Sequence, residues 1–552
     1  MTFAADIVGA FEASNVEVVF GVPSEQLEAY YAALDESEIR HVLGRSEASA
    51  AAMADGYARA SGRLGVVDGV GGPGAVNIGV GLIEAAGASS PVLALTGDNQ
   101  RAFRGLEAIQ DADNEAILAE HVKESWDPDT PDRGIQAIRT AIAEAVTGVP
   151  GPVHVNLTED LLDKSPSSSG AATVPPTTSY PAARPVPDRE SLEEAVEAIE
   201  AASRPVIIAG EGALRSQAWA AVGRLASDAD IPVVTSMNGK GIVDEREPYA
   251  LGVVGRWGFA APANETVAES DLVLAVGTRL GELTTNRYSL LPEEETLVHV
   301  DLDPTWLGRT IEPDVAVLGD IRATVEHLHE GVADRYSGSR AEYIAELAEA
   351  SDAWRESTRS ELESDDTPVH PARLVAELEG ALPPSSTVVS ATSFPGFFSA
   401  AYYRVREPGI RYVQARGSDG INYALPQALG IQLAAPERPV VAVSGDGGFG
   451  YHVADLETAA REELPVTVVV LNNQSLRSSK ASQLGNYNVD VSTDFHPDVD
   501  YAAVAEGFAC EGHRIETPEA LVEYLPAAID ADRPVLLDVQ VDPFAMPPVK
   551  VG

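Results

Sequence analysis

The 552-residue sequence predicts an α/β protein of three doubly wound parallel-sheet domains. Three observations carry that prediction. Short apolar runs of strand length alternate with stretches of helical period over residues 1–165, 189–335 and 369–552. Many of these runs end in a glycine turn that opens a helix, as βαβ units do. Segments of another character separate the three regions: a Ser/Pro/Ala linker without periodicity at 166–188, and an acidic helical bridge at 336–368.

Composition narrows the class. The formal charge is −47, and only five of the 38 basic residues are lysines. The acids are spread along the chain rather than gathered in a tail. That favours a surface kept hydrated in concentrated salt over one that binds a basic partner. Nucleic-acid binding is disfavoured by charge alone. No apolar run is long enough to span a bilayer, and residues 1–20 lack a charged segment followed by an apolar one, so a cytoplasmic protein with no membrane partner is expected. A lone cysteine, Cys510, excludes an internal disulfide.

In the first region a strand at 16–20 runs into Gly21-Val22-Pro23-Ser24. A helix over 25–34 and a short strand at 41–43 follow. Ser46 to Ser61 reads as a helix stopped by Gly62. A strand at 64–68 enters the loop GVGGPG (69–74), which leads to a helix from Ala75 and a strand at 92–96. In the middle region, RPVIIAGEGA is strand, glycine turn and helix, and DLVLAVGTRLGE (271–282) is expected to repeat that plan. A nicotinamide-binding fingerprint would need a full GxGxxG, and only Gly210 and Gly212 are present.

The last region carries the most informative stretch, PVVAVSGDGGFGYHVADLETAAREELPVTVVVLNNQS. Val440–Ser444 is a strand, Gly445-Asp446-Gly447-Gly448 a turn, 452–462 an amphipathic helix, and 466–471 a second buried strand closed by Asn472-Asn473. One βαβ unit thus sets Asp446 and Asn473, 27 residues apart, at the carboxyl ends of neighbouring parallel strands, where open α/β sheets bind ligands. A carboxylate and an amide oxygen are hard ligands suited to Mg²⁺, which takes further ligands from phosphates. Gly447 and Gly448 let the backbone approach a diphosphate.

This unit resembles the GDG…NN signature of thiamine-diphosphate enzymes. RSEASAAAMADGYARASG (45–62) resembles the RHEQ.A..MA.GYAR segment of their acetolactate-synthase-like members, and residues 65–98 resemble the GPGATN…SIPL..ITG block. The resemblance covers nearly the whole chain. It implies a pyrimidine-binding domain at 1–165, a Rossmann-like middle domain at 189–335 and a diphosphate-binding domain at 369–552. It implies Mg²⁺ on Asp446, Asn473 and the carbonyl of Ser475, with Glu47 as the catalytic acid that drives the aminopyrimidine to its imino tautomer. Coenzyme contacts are implied for Pro23, Gly72, Pro73, Asn77, Thr392, Ser393, Asp419, Gly420, Gly445, Gly447, Gly448 and Leu476. Ile421 stands where relatives place the prop of the bent coenzyme. Gln110 is implied as a catalytic, substrate-side amide.

The implied reaction is decarboxylation of a 2-oxo acid followed by carboligation. A simple decarboxylase of the benzoylformate type and a silent coenzyme-binding subunit are the alternatives. Homodimers or homotetramers with sites between subunits are implied, and the composition points to a haloarchaeal type of cytoplasm. Four features depart from the family pattern. Ser46 and Ala48 replace the usual His and Gln. QSLRSSKASQLGNYN lacks the GM.RQWQ-type segment. The loop at 68–74 has no histidine. Gly277–Tyr288 lacks the RFDDR pattern of flavin-bearing members, so FAD is possible but not favoured. Lys240 is expected to be structural, and Lys480 to be a solvated loop cation.

Overall fold

The computed structural model describes residues 2–167, 180–256, 260–292, 295–335 and 339–548. Residues 168–179 of the expected linker lie outside the described residues. Three six-stranded sheets make up the framework, and every strand pair in them is parallel.

The first sheet holds β1 (Val18–Gly21), β2 (Arg40–Leu43), β3 (Gly65–Gly69), β4 (Val92–Asp98), β5 (Ser125–Trp126) and β6 (Val153–Thr158), in the order β2-β1-β3-β4-β6-β5. The second holds β7 (Pro205–Ala209), β8 (Val233–Thr235), β9 (Ala250–Val253), β10 (Leu272–Val276), β11 (Thr296–Asp301) and β12 (Val315–Leu318). Its order, β12-β11-β10-β7-β8-β9, is the doubly wound arrangement that reverses beside its first strand. The third sheet holds β13 (Thr387–Ser390), β14 (Tyr412–Gln414), β15 (Val440–Gly445), β16 (Val466–Asn472), β17 (Glu511–Ile515) and β18 (Val535–Gln540). Its order, β14-β13-β15-β16-β18-β17, repeats that of the first sheet strand for strand. Central strands such as β3, β4, β15 and β16 are buried throughout or nearly so, which is why they read as continuous apolar runs rather than alternating ones.

Two helices weld the first and last domains together. The helix Glu47–Ser61 starts at Ser46, whose hydroxyl accepts from the Ser49 N–H (3.1 Å), and ends at Gly62 in the left-handed region. It lies along the helix Ala424–Ala434 so closely that small residues are required. A Cβ on Gly56 would sit 2.3 Å from the Gln427 carbonyl oxygen, and one on Gly430 would sit 2.0 Å from that of Met53. Met53, Ala54, Leu425, Ala428 and Leu429 share one buried apolar cluster with strand residues from both sheets. Each large aliphatic side chain buried there contributes about 1.5–3 kcal/mol.

Three of the differences from expectation follow glycine turns. The helix expected from Ala75 starts at Pro73, because proline at the first helical position has its φ preset and gives up only an N–H that would be unpaired there anyway. The helix expected over 452–462 is Asp455–Arg461, preceded by a one-turn helix Asp446–Phe449 directly at the end of β15. The second glycine turn of the middle domain opens no helix. After Val276 the chain runs through turns in which Leu280, Asn286, Arg287 and Tyr288 all have positive φ, and successive left-handed residues cannot propagate a right-handed helix. No helix among the described residues is long and apolar enough to cross a membrane.

Candidate active site

The pairing of β15 with β16 sets Gly445 opposite Leu471, so the residues that follow each strand emerge side by side. There Asp446 and Asn473 converge on one amide. The Ser475 N–H donates to Asp446 Oδ2 (3.2 Å) and to Asn473 Oδ1 (3.1 Å), and the Ser475 hydroxyl also donates to Asn473 Oδ1 (3.1 Å). Asp446 Oδ1 accepts from the Gly447 N–H at 2.8 Å. The first asparagine of the pair faces the other way: Asn472 Nδ2 donates to Asp538 Oδ1 on β18 at 2.9 Å. Strand alternation thus gives one asparagine to the sheet and the next to the site.

Burial pushes the Asp446 carboxyl up to about 6, against the pull of the backbone N–H groups around it. A buried acid held only by neutral donors gains most from a cation beside it. Asp446, the Asn473 amide oxygen and the Ser475 carbonyl form an all-oxygen donor set of the kind Mg²⁺ takes alongside phosphate, so the residues present fit that ion.

The glycine turn is walled on two sides. A Cβ on Gly448 would lie 2.2 Å from the Ile421 carbonyl oxygen, and one on Gly447 would lie 2.7 Å from Leu476 Cδ2. Half-buried Ile421 is therefore locked to the turn that carries Asp446. Thr392 is buried, and its hydroxyl donates to the Asp419 carbonyl at 3.2 Å. Ser393 and Asp419 both have positive φ. A Cβ on Gly420 would lie 2.3 Å from Tyr423 Cε2, and one on Gly445 would lie 3.5 Å from Pro395 Cγ. Lys480 is paired with Asp490 (2.9 Å) and Asp494 (2.6 Å).

Glu47 is the first residue of its helix and is buried at 8 % exposure. Asn77 Nδ2 donates to Glu47 Oε2 at 2.9 Å, while a Cβ on Gly74 would lie 3.1 Å from Oε1. Asn77 therefore orients the acid, and the loop before it leaves room over the other oxygen. That loop is pinned by two side chains the sequence reading had not singled out. Gln26 Oε1 accepts from the Gly71 N–H (2.9 Å) and Asn114 Oδ1 from the Gly72 N–H (2.8 Å). Pro73 and Pro23 are exposed at the mouth of this region, as is Gln110, whose carbonyl packs over Gly72.

A polar bridge joins the helix of Glu47 to the glycine turn within the chain. The Ser49 hydroxyl bonds His452 Nδ1 (2.7 Å) and Asp455 Oδ2 (2.6 Å), and His452 Nε2 stands 3.2 Å from Asn422 Nδ2 beside Ile421. A second buried link is centred on Arg59, which bonds Asp55 (2.9 Å), Glu84 (2.8 Å) and Glu211 of the middle domain (3.4 Å). Glu84 Oε2 accepts from the Ser418 N–H (2.7 Å) and hydroxyl (3.0 Å), and Glu84 Oε1 from the Gly417 N–H (3.1 Å). It thereby grips the residues just before Asp419. Sequence offered little signal for either link, because the partners lie hundreds of positions apart.

In the middle domain a cavity of about 360 Å³ opens at the carboxyl ends of β7, β10 and β11, lined by Glu211, Arg215, Gly277, Arg279, Asp301 and Trp306 among others. Arg279 stacks on Trp306 (4.9 Å), and the buried Arg215 has two guanidinium nitrogens, Nε and Nη1, without hydrogen-bond partners. Lys240 is buried in an ion pair with Glu245 at 2.6 Å, a structural role.

Comparison with known proteins identifies the family. Residues 1–117 match the thiamine pyrophosphate enzyme N-terminal TPP binding domain, 192–328 the central domain, and 395–539 the C-terminal TPP binding domain. The chain is 31% identical to a probable acetolactate synthase large subunit of Methanococcus aeolicus, over 98% of this chain and 92% of that one. It is 30% identical to the probable large subunit of Methanocaldococcus jannaschii, over 100% and 94%. Against acetolactate synthase isozyme 3 large subunit of Escherichia coli it is 31% identical, over 96% and 92%. With three domain matches in order and similarity along its whole length, the chain belongs to the thiamine pyrophosphate enzymes, in the branch that includes the acetolactate synthase large subunits.

Proposed function

We propose that this enzyme decarboxylates pyruvate or a closely related 2-oxo acid and joins the two-carbon fragment to a second carbonyl compound, as an acetolactate synthase does. The observation that carries the reading is the convergence of Asp446 and Asn473 on Ser475 beside the Ile421–Gly448 contact, together with a buried, Asn77-oriented Glu47. Bound thiamine diphosphate supplies the nucleophilic carbon and the electron sink for loss of CO₂. The chain's own residues do the rest. Asp446, Asn473 and the Ser475 carbonyl would hold Mg²⁺, and Thr392 and Ser393 would contact the diphosphate. Ile421 would serve as the apolar prop of the coenzyme. Glu47, fixed through Oε2 by Asn77, gives and takes a proton at Oε1 toward the pyrimidine ring. The buried walls exclude water from that exchange.

The proposal includes self-association. Val76, Val80 and Ile83 leave an apolar stripe exposed along one face of the helix Pro73–Gly87, directly beside Asn77. A stripe of that spacing suits an isologous pairing of two chains. FAD is not included. The middle-domain cavity lies near the lower end of the ~300–1,000 Å³ typical of small-molecule sites, and the turns after Gly277 lack the flavin-bearing pattern. A yellow purified protein would bring FAD back.

The test is product identification by NMR, with the protein in concentrated KCl supplied with Mg²⁺, thiamine diphosphate and pyruvate. Acetolactate is expected. Acetaldehyde alone would replace the carboligase reading with a decarboxylase, and untouched pyruvate would remove it as substrate.

A further inference from the structure

The molecule carries a second cleft whose charge runs against the rest of its surface. Arg246, Arg355, Arg404 and Arg406 line a space of about 370 Å³ where the middle domain, the connecting helix Ala341–Ser357 and the last domain meet. In a chain with 85 acidic and 38 basic residues, a lining of four arginines and one glutamate, Glu379, runs against the overall balance, with Glu361 just behind it on the Tyr402 hydroxyl (2.7 Å).

The carboxylates nearby do not match them. Glu379 is engaged by Arg404, whose Nε (2.9 Å) and Nη2 (2.6 Å) donate to Oε1 while its backbone N–H donates to Oε2 (3.0 Å). Arg355 reaches the same carboxylate only at 3.7 Å. Asp244 is taken by Arg246, through Nε (3.0 Å) and Nη2 (2.6 Å). Arg406 donates from Nη2 to the Leu382 carbonyl, and its buried Nε has no hydrogen-bond partner. Burial, and then the like charge of Arg404, hold the Arg355 guanidinium below the usual arginine range. Arg355 thus has Glu379 at 3.7 Å and the weaker influence of Glu245 and Asp352, while Arg406 has no ion pair within 4 Å among the described residues. A desolvated cation in that position is stabilised by any anion that enters.

We propose that this cleft is a binding site for a small organic oxyanion of at least two negative charges, a phosphate ester or a dicarboxylate, held by Arg355 and Arg406. Guanidinium groups match the planar or tetrahedral oxygens of such groups in paired hydrogen bonds. The space is larger than a bare inorganic ion needs. Tyr402, stacked on Trp354 with ring centroids 6.0 Å apart, supplies an apolar wall for a carbon skeleton. The cleft also lies at the far end of the helix Phe394–Tyr402, whose first turn follows Ser393. A bound anion would therefore sit one nine-residue helix, about 13 Å, from the proposed coenzyme contacts.

Isothermal titration tests the site. The protein is first supplied with Mg²⁺ and thiamine diphosphate so that the diphosphate site is filled. It is then titrated at fixed ionic strength with glycerol 3-phosphate and with succinate, with glycerol as the uncharged control. Saturable one-to-one binding of at least one dianion is expected, weakened about tenfold or more by Arg355→Ala and by Arg406→Ala. Binding of glycerol 3-phosphate alone would assign a phosphate ester, and of succinate alone a dicarboxylate. Arg355→Ala removes a like charge facing Arg404 and is expected to fold; Arg406→Gln is the substitute if Arg406→Ala does not. No saturable binding to the unmodified protein, or unchanged affinity in the variants, would overturn the proposal.

Discussion

Glu47 owes its position to short-range rules as much as to the fold. Ser46 caps the helix, the acid takes its first position, and Asn77 from the next helix holds one carboxylate oxygen at 2.9 Å. If this acid exchanges the pyrimidine proton, Glu47→Gln removes the proton but keeps the shape. Coenzyme affinity is then expected to stay within about threefold, while turnover falls by about 10²–10⁴. Steady-state kinetics beside a binding titration check this, and unchanged turnover would contradict the role given to Glu47. Asn77→Ala leaves the acid in place without its orienting donor, and a smaller fall in kcat is expected in the same steady-state assay.

At the scale of elements, the helix pair Glu47–Ser61 and Ala424–Ala434 is the joint on which the first and last domains depend. Gly430→Val would drive a side chain into the Met53 carbonyl, and a loss of about 2–3 kcal/mol or more is expected in denaturant unfolding. Glu84 ties the same joint to the segment that presents Asp419. It is completely buried, and Arg59 is shared among Asp55, Glu84 and Glu211, with Arg215 the other cation and Tyr423 close by. Burial is the larger influence, and it raises the Glu84 carboxyl to about 7 against the pull of Arg59. A folded pKa above the unfolded one favours the protonated native state. That contribution is full below about pH 4.5 and is lost as pH rises through about 7, and it amounts to about 3 kcal/mol. Glu84→Gln cannot titrate, so the stability of the wild type relative to it is expected to fall across that window. A pH-independent difference in unfolding free energy would contradict the assignment.

These elements also show what sequence could and could not reveal. The βαβ unit around Asp446 was legible because strand, turn and strand are adjacent and their periods differ. The Gly62 stop was legible because glycine takes the left-handed cap without cost. The absent helix after Gly277 was not, since a strand followed by glycine reads the same whether the chain then coils or turns. The Ser49–His452 and Glu84–Ser418 contacts were invisible for another reason. They span 403 and 334 positions, and nothing local distinguishes a serine or glutamate that meets a distant partner from one that meets water.

At the scale of the whole molecule, a charge of −47 makes the compact state repel itself. Ions at molar concentration shorten the screening length to about 3 Å and relieve that repulsion. The melting temperature is therefore expected to rise steadily from dilute buffer to molar KCl, even without coenzyme. A flat or falling profile would count against the halophilic reading. Within each chain the Arg59 cluster staples the first domain to the middle one, while the proposed coenzyme sites would lie between the first domain of one chain and the last domain of another.

The measurement that tests this most directly is a calorimetric titration with thiamine diphosphate, with and without Mg²⁺, on the wild type, Asp446→Ala and Glu47→Gln. The account predicts Mg²⁺-dependent binding of one coenzyme per chain, loss of that binding in Asp446→Ala, and its retention in Glu47→Gln. Binding that ignores Mg²⁺, or that survives removal of the Asp446 carboxylate, would contradict it.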